Sequence, residues 1–210
     1  RNLDDDGVPT GETQTWKTQE SIVFYQGLEP RAAATYLLTE TSSVKASYTR
    51  TNQFLHLATT SGASFPSDLW MPSSRLVKPQ MADQVAMGYF RNFKDNMYET
   101  SAEVYYKTMR NQVEFRPGAR LFLNQNLENE VITGKGEAYG AEFFLKKRMG
   151  KLNGWIGYTW SKTTRQFDLL NGGKTFFYRY DRRHDASLVV SYELSKRWSA
   201  NFVFVYGTGS

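Results

Sequence analysis

Between Arg182 and Gly207 two runs of strict alternation flank a short turn. In the first, Ala186, Leu188, Val190, Tyr192 and Leu194 are apolar, while Asp185, Ser187, Ser191 and Glu193 fill the polar gaps. In the second, Trp198, Ala200, Phe202, Phe204 and Tyr206 alternate with Arg197, Ser199 and Asn201. Successive side chains of a strand point to opposite faces, so each run sets an apolar row against a polar one. Each row belongs to a strand of about 9–11 residues and ends in aromatic residues, which are the dimensions of a bilayer-spanning strand between two aromatic girdles. The spacing predicts an antiparallel hairpin turning at Ser195-Lys196. Ala186, Leu188, Val190, Tyr192, Trp198, Ala200, Phe202 and Phe204 should share its apolar face, because a slip of one residue would invert every side chain.

The same unit recurs. Strands are expected at Pro30–Leu38 and Ser43–Leu57, then at Ala82–Phe90, which turns near Asn92–Asn96 into a fourth. In the fourth, Glu99, Ser101, Glu103 and Lys107 alternate with Ala102, Val104 and Tyr106. A fifth carries Tyr139, Ala141, Phe143 and Leu145 and turns at Met149-Gly150-Lys151 into a sixth with Leu152, Ile156, Tyr158 and Trp160. The opening hairpin supplies the seventh and eighth. Arg50 falls in the apolar phase of its strand; either the strand has left the bilayer there or its register differs. Residues 1–28 read as a loop, and long loops are expected near 58–80, 114–135 and 163–182. The first of these holds Pro66, Pro72 and Pro79, which oppose a ladder. Short and long connections therefore alternate, as in outer-membrane barrels with tight periplasmic turns and long extracellular loops. The expected fold is all-β: an antiparallel up-and-down meander of about eight strands, a segment of a transmembrane β-barrel.

Composition sharpens this by exclusion. No stretch of the 210 residues approaches the roughly 18 consecutive apolar residues of a membrane-spanning helix. The mean hydropathy of -0.57 is compatible with a barrel, whose inner face and loops are polar. Cysteine is absent, which removes disulfides and thiolate metal sites. A net charge of +5 scattered over strand ends and turns argues against nucleic-acid binding.

Several motifs resemble one family. They are Gly134-Lys135-Gly136-Glu137-Ala138-Tyr139-Gly140-Ala141-Glu142, Gly154-Trp155-Ile156-Gly157-Tyr158-Thr159-Trp160-Ser161-Lys162-Thr163 and Tyr180-Asp181-Arg182-Arg183-His184-Asp185. With Pro66-Ser67-Asp68-Leu69-Trp70 and Lys78-Pro79-Gln80 they resemble the C-terminal half of the barrel of TonB-dependent outer-membrane receptors, over residues 28 to 210. The resemblance implies one partial barrel domain over 1–210, taken from a 22-stranded barrel that an N-terminal domain plugs. It implies energy-coupled uptake of a nutrient of the siderophore, haem, glycan or peptide class, in the cell outer membrane. The implied partners are outer-membrane lipid, the plug domain of the parent chain and, through it, the TonB energy-coupling complex. The polar opening Arg1–Asp6 reads as a loop cut mid-chain, so a fragment is expected, with an open meander rather than a closed barrel.

The stretch from Tyr180 to Asp185 is the densest polar cluster. Its His and carboxylates suit metal coordination, but a lone His favours a salt-bridged junction at the barrel rim. Trp70, Phe65 and Tyr178-Arg179-Tyr180 are aromatic or cationic residues in long loops, able to grip a ligand or pack the loop. The ligand-contact candidates are therefore Trp70, Tyr178, Arg179, Asp181 and His184. Glu99, Glu103 and Glu142 should line a wet lumen. No nucleophile–base pair or metal constellation has useful spacing, so no enzyme activity and no cofactor are expected. Two other readings are a small eight-stranded barrel serving as anchor or adhesin, and a soluble β-sandwich that buries the apolar rows as its core.

Overall fold

Alternation along the chain becomes one long antiparallel ladder. The computed structural model describes residues 23–58, 69–119 and 127–209. The strands are β1 (Arg31–Thr39), β2 (Ser42–Gln53), β3 (Leu55–Ala58), β4 (Leu69–Pro72), β5 (Gln80–Phe93) and β6 (Tyr98–Phe115), followed by β7 (Val131–Lys147), β8 (Leu152–Gln166), β9 (Phe176–Phe177), β10 (His184–Ser195) and β11 (Trp198–Gly207). Eight of them pair in the order β1-β2-β5-β6-β7-β8-β10-β11, each beside its predecessor among the long strands. The two end strands, β1 and β11, are not ladder partners, so the meander is open as expected.

The predicted hairpin forms with the predicted faces. Ala186, Leu188, Val190 and Tyr192 stand opposite Tyr206, Phe204, Phe202 and Ala200, and Trp198 lies in phase with Ala200. Directly opposed residues share a face, so the register can be followed across the whole sheet. Leu188 lies opposite Ile156, Ile156 opposite Leu145, and Phe143 opposite Ala102. Ala102 in turn faces Tyr89, which faces Val44, which faces Tyr36. One apolar face therefore runs unbroken from β1 to β11. It is not packed against a second sheet: Met87 is 56% exposed, Phe143 53% and Phe202 56%. A patch this large has no place in water. The β-sandwich reading, which needs these rows as a core, is ruled out by that exposure.

The opposite face is polar over most of β2 to β8 and fits an aqueous lumen, with Val189, Val203 and Val205 on it in β10 and β11. It carries Lys45, Gln84, Glu99, Glu103, Lys107, Glu142 and Lys146 by the same register. Phe144 and Tyr105 lie across glycines, Gly157 and Gly140, and a Cβ on Gly140 would come within 2.9 Å of the Tyr105 ring, while Phe144 and Trp155 pack on each other at 6.0 Å. On the apolar face, packed rings mark both margins. Tyr106, Tyr139 and Trp160 pack at 6.4 and 6.0 Å on the long-loop side, and Phe93 and Tyr98 at 5.2 Å on the short-turn side.

Arg50 does face outward, and the reason is local. Its Nε donates to Asp83 at 2.7 Å, one rung beyond Tyr48 and Val85, where the apolar band has ended. The strand expected over Ser43–Leu57 is divided at Phe54 into β2 and β3, and β3 leaves the main sheet. Three further departures from the expected strand limits have physical causes. The ladder of β6 and β7 continues past a bulge at residues 110–111, where Asn111 has φ 53°, so part of the loop expected over 114–135 is strand. Within 58–80, β4 pairs with β3, and Pro72 sits on the last rung of a two-stranded ladder, where its missing N–H costs nothing. Within 163–182, β9 pairs with Thr164 and Arg165. The buried apolar cluster is small and lies at the long-loop end. Met71, Val77 and Val113 form it, with Leu76, Phe115 and Val131 packed against them. Residues 1–22, which carry most of the expected opening loop, and Phe65 lie outside the described residues.

Candidate ligand-binding site

Residues 54–58, 69–79 and 167–183 gather at the long-loop end of the sheet. Between them lies a cavity of about 180 Å³ whose walls include Leu57, Gln80, Glu114, Arg165, Tyr178 and Arg179. Arg165 reaches it from the inner face of β8, in phase with Trp155 and Ser161. Its guanidinium carbon sits 3.5 Å from the centre of the Tyr178 ring, a stacked cation–π contact. The Arg165 Nε is buried without a hydrogen-bond partner. Arg179 donates to Glu114 at 2.8 Å. Tyr180 meets Tyr178 edge-on at 5.2 Å. Burial raises the Tyr178 phenol above its ordinary pKa, against the opposing pull of Arg165 and Arg179, so it remains a neutral donor. Among the described residues that line it, two guanidiniums face one carboxylate. Such an arrangement can receive an anionic group or stack a planar one.

The five sequence candidates separate. Tyr178 and Arg179 line the cavity. Asp181 is nearly buried and is spent on structure: its Oδ1 accepts the Thr163 N–H at 2.5 Å and its Oδ2 the Arg183 guanidinium at 2.9 Å. His184 stands on the apolar face opposite Trp160, with its Nδ1 2.7 Å from the Tyr158 hydroxyl. Trp70 projects from β4 opposite Leu57 and is 60% exposed. Arg165 and Glu114 were not among the sequence candidates, because the sequence places both in long loops, 163–182 and 114–135, where nothing in residue type separates them from the other charged loop residues. Among the described residues no group of three or more His, Asp or Glu could hold a metal ion.

The hairpin beside the cavity is pinned through His56, which is fully buried. Gln112 donates to Gln80 Oε1 at 3.0 Å, Gln80 donates to His56 Nδ1 at 3.0 Å, and His56 Nε2–H donates to Ser73 Oγ at 2.9 Å. Each bond fixes the direction of the next, so Nδ1 must be unprotonated. Burial accordingly lowers the His56 pKa. A ring that resists protonation when folded gives full stabilisation above its unfolded pKa of about 6.5, and loses it as pH falls from there through the lower folded value. Amide exchange in β3 and β4, corrected for intrinsic rates, should therefore quicken several-fold between about pH 7.5 and pH 5. In His56→Gln that acid sensitivity should vanish.

An unbroken lipid-type face, a polar inner face, flanking aromatic belts and loops gathered at one end define a segment of a membrane-spanning β-barrel of the outer-membrane type. A family model described as TonB dependent receptor-like, beta-barrel matches residues 2–210, and the chain belongs to that family. No curated protein matches it by sequence. Among solved structures it is similar to the FrpB iron transporter from Neisseria meningitidis, at 12% identity and a TM-score of 0.57, over 84% of this chain and 26% of that one. It is also similar to the ferripyoverdine receptor of the outer membrane of Pseudomonas aeruginosa bound to ferripyoverdine, at 17% identity and a TM-score of 0.57, over 85% and 26%. A third is FpvA of P. aeruginosa bound to heterologous pyoverdines, at 18% identity and a TM-score of 0.55, again over 85% and 26%. At these identities the likeness is one of fold. The chain spans about a quarter of the length of these neighbours.

Proposed function

We propose that this chain forms part of an outer-membrane receptor that takes up a scarce nutrient by energy-coupled transport, and that the nutrient is an anionic iron chelate of the siderophore class. The family and the iron-transporting neighbours support the transport reading. The observation that carries the ligand class is the Arg165–Tyr178 stack beside Arg179 at the long-loop end, with a buried guanidinium N–H left without a partner. A hard anionic chelate offers oxygen acceptors to that N–H and planar surface to the tyrosine. A neutral glycan is a weaker fit, because it gives the guanidiniums no charge to meet. Trp70 is the outermost contact in this scheme, and Asp181 and His184 hold the rim rather than the ligand. Coupling would run through a plug domain of the parent chain to the TonB complex.

The test uses the full-length receptor in an iron-starved strain that lacks it. Uptake should follow one class of labelled ferric chelate and stop when the energy-coupling complex is removed. Arg165→Ala and Tyr178→Ala should each weaken chelate binding about tenfold, the scale of a desolvated cation–π contact, while His184→Ala leaves it unchanged. Uptake of haem or oligosaccharide instead of iron chelates, or chelate binding indifferent to Arg165→Ala, would overturn the reading.

A further inference from the structure

The apolar face is not uniform. On β1, β2, β5 and β6 the rung Ala34–Ala46–Met87–Val104 lies beside the rung Ala32–Tyr48–Val85–Tyr106. Alanines on β1 and β2 stand next to large side chains on β5 and β6, and the step leaves a groove of about 630 Å³ that is almost wholly apolar. Its volume lies within the range of about 300–1,000 Å³ typical of small-molecule sites. At the corresponding rungs of β7 and β8 the Tyr139 and Trp160 rings pack 6.0 Å apart, and the space of about 400 Å³ along these strands lies nearer the short turns, over Phe143, Leu145 and Ile156, away from the charged residues Arg50, Asp83 and Arg110.

Immediately beyond the groove, on the same face and toward the long loops, lies a charged cluster. The Tyr48 hydroxyl donates to Asp83 Oδ1 at 2.6 Å, Arg50 Nε donates to the same oxygen at 2.7 Å, and Arg110 approaches Oδ2 at 3.5 Å. Asp83 is mostly covered, whereas the Arg110 side chain is 60% exposed. Two guanidiniums share one carboxylate, so the cluster carries a surplus positive charge. Arg110 spends a single long contact on Asp83 and keeps further N–H donors on the outer side. The spacing along a strand puts this cluster about 7 Å past the rung of Tyr48 and Tyr106, the step from acyl chains to headgroup.

We propose that this surface binds one phosphorylated, multiply acylated lipid of the leaflet on the long-loop side. An acyl chain lies in the groove over Ala34 and Ala46, and a phosphate oxygen takes the free donors of Arg110 beside Arg50. The charge complementarity selects the occupant. A guanidinium fork matches phosphate oxygens, and an uncharged or zwitterionic lipid would leave the surplus charge unanswered. Tyr48 joins the two halves, its ring lining the groove and its hydroxyl holding Asp83. The proposal rests on the membrane-spanning reading, and its test separates the two.

The full-length receptor is reconstituted in phosphatidylcholine vesicles doped with hexa-acylated lipid A, either phosphorylated or enzymatically dephosphorylated, and the lipid retained on the protein is read by native mass spectrometry. Flotation with the vesicles is read in every sample. The phosphorylated form should be retained about tenfold better than the dephosphorylated one, the scale of a charge-assisted phosphate contact. Arg110→Gln, which leaves the Arg50–Asp83 pair intact, should bring the two forms within about twofold of each other. The paired substitution Ala34→Leu with Ala46→Leu fills the groove and should lower retention of both forms. Protein that floats but retains both forms equally, keeps its preference in Arg110→Gln, or is indifferent to the filled groove would overturn the lipid site alone. Protein that fails to float would overturn the membrane reading and the site with it.

Discussion

Leu188→Arg should destabilise the membrane-inserted receptor by about 2–4 kcal/mol, while Ser187→Arg, one residue away, should cost under about 1 kcal/mol. The asymmetry comes from the register. Leu188 stands between Ile156 and Phe204 in the middle of the apolar face, where a guanidinium would have to sit in hydrocarbon or drag water to itself. Ser187 stands between Gly157 and Val205 on the opposite face, with room and water. The direct partners of both positions are uncharged, and Asp185, two residues from Ser187 on the inner face, would further ease a guanidinium there. Reversible urea unfolding of the full-length receptor in vesicles measures both values. Equal costs, or a larger cost for Ser187→Arg, would mean that the faces are assigned the wrong way round.

Gly134→Val and Gly154→Val should each cost about 3 kcal/mol or more, enough to deplete the folded barrel. A Cβ on Gly134 would overlap the Gln166 carbonyl and approach the Phe167 ring to 2.5 Å, and Phe167 is among the few fully buried side chains. Gly154 has φ +152° and faces the Val189 carbonyl so closely that a Cβ there would overlap it and come within 2.9 Å of the Val190 Cα. In both cases backbone stands in the way, so relief would require breaking a ladder. Gly209→Ala is the control, since nothing lies within 4 Å of its Cβ position. The fraction migrating as folded barrel on gels run without heating reports the loss; wild-type levels for Gly134→Val would contradict the packing described for β7 and β8.

The parts of this structure that follow a period of two could be read directly. The hairpin of β10 and β11 keeps its register from Asp185 to Glu193, so its faces and partners follow from residue type, and an irregularity between Glu193 and Ser195 moves the turn by one residue, from the expected Ser195-Lys196 to Lys196-Arg197. Interruptions hid the rest. The bulge at Arg110-Asn111 shifts the phase by one, and past it Val113 and Phe115 belong to a buried cluster that no alternation announces. The β3–β4 and β9 ladders are too short to show a period, and prolines in the first segment argued against strand. The candidate site divides the same way. Tyr178 and Arg179 stood out as aromatic and cationic residues in a loop, whereas Arg165 and Glu114 became visible only when the loops folded back onto β8 and β6. His184 drew attention as the histidine of a polar cluster. Yet it is in phase with Ala186 and Leu188, and that phase already assigned it to the outer face.

The central claim is that one face of this sheet meets lipid and the other water. These 210 residues contain no cysteine, and single cysteines can be introduced at each position from Asp185 to Tyr192 of a full-length receptor cleared of any cysteine elsewhere, then spin-labelled in vesicles. Positions 186, 188, 190 and 192 should be relaxed by oxygen, which concentrates in hydrocarbon, and positions 185, 187, 189 and 191 by a water-soluble nickel chelate, in strict alternation. Accessibility to the two reagents that does not alternate, or that alternates in the opposite phase, would contradict the account.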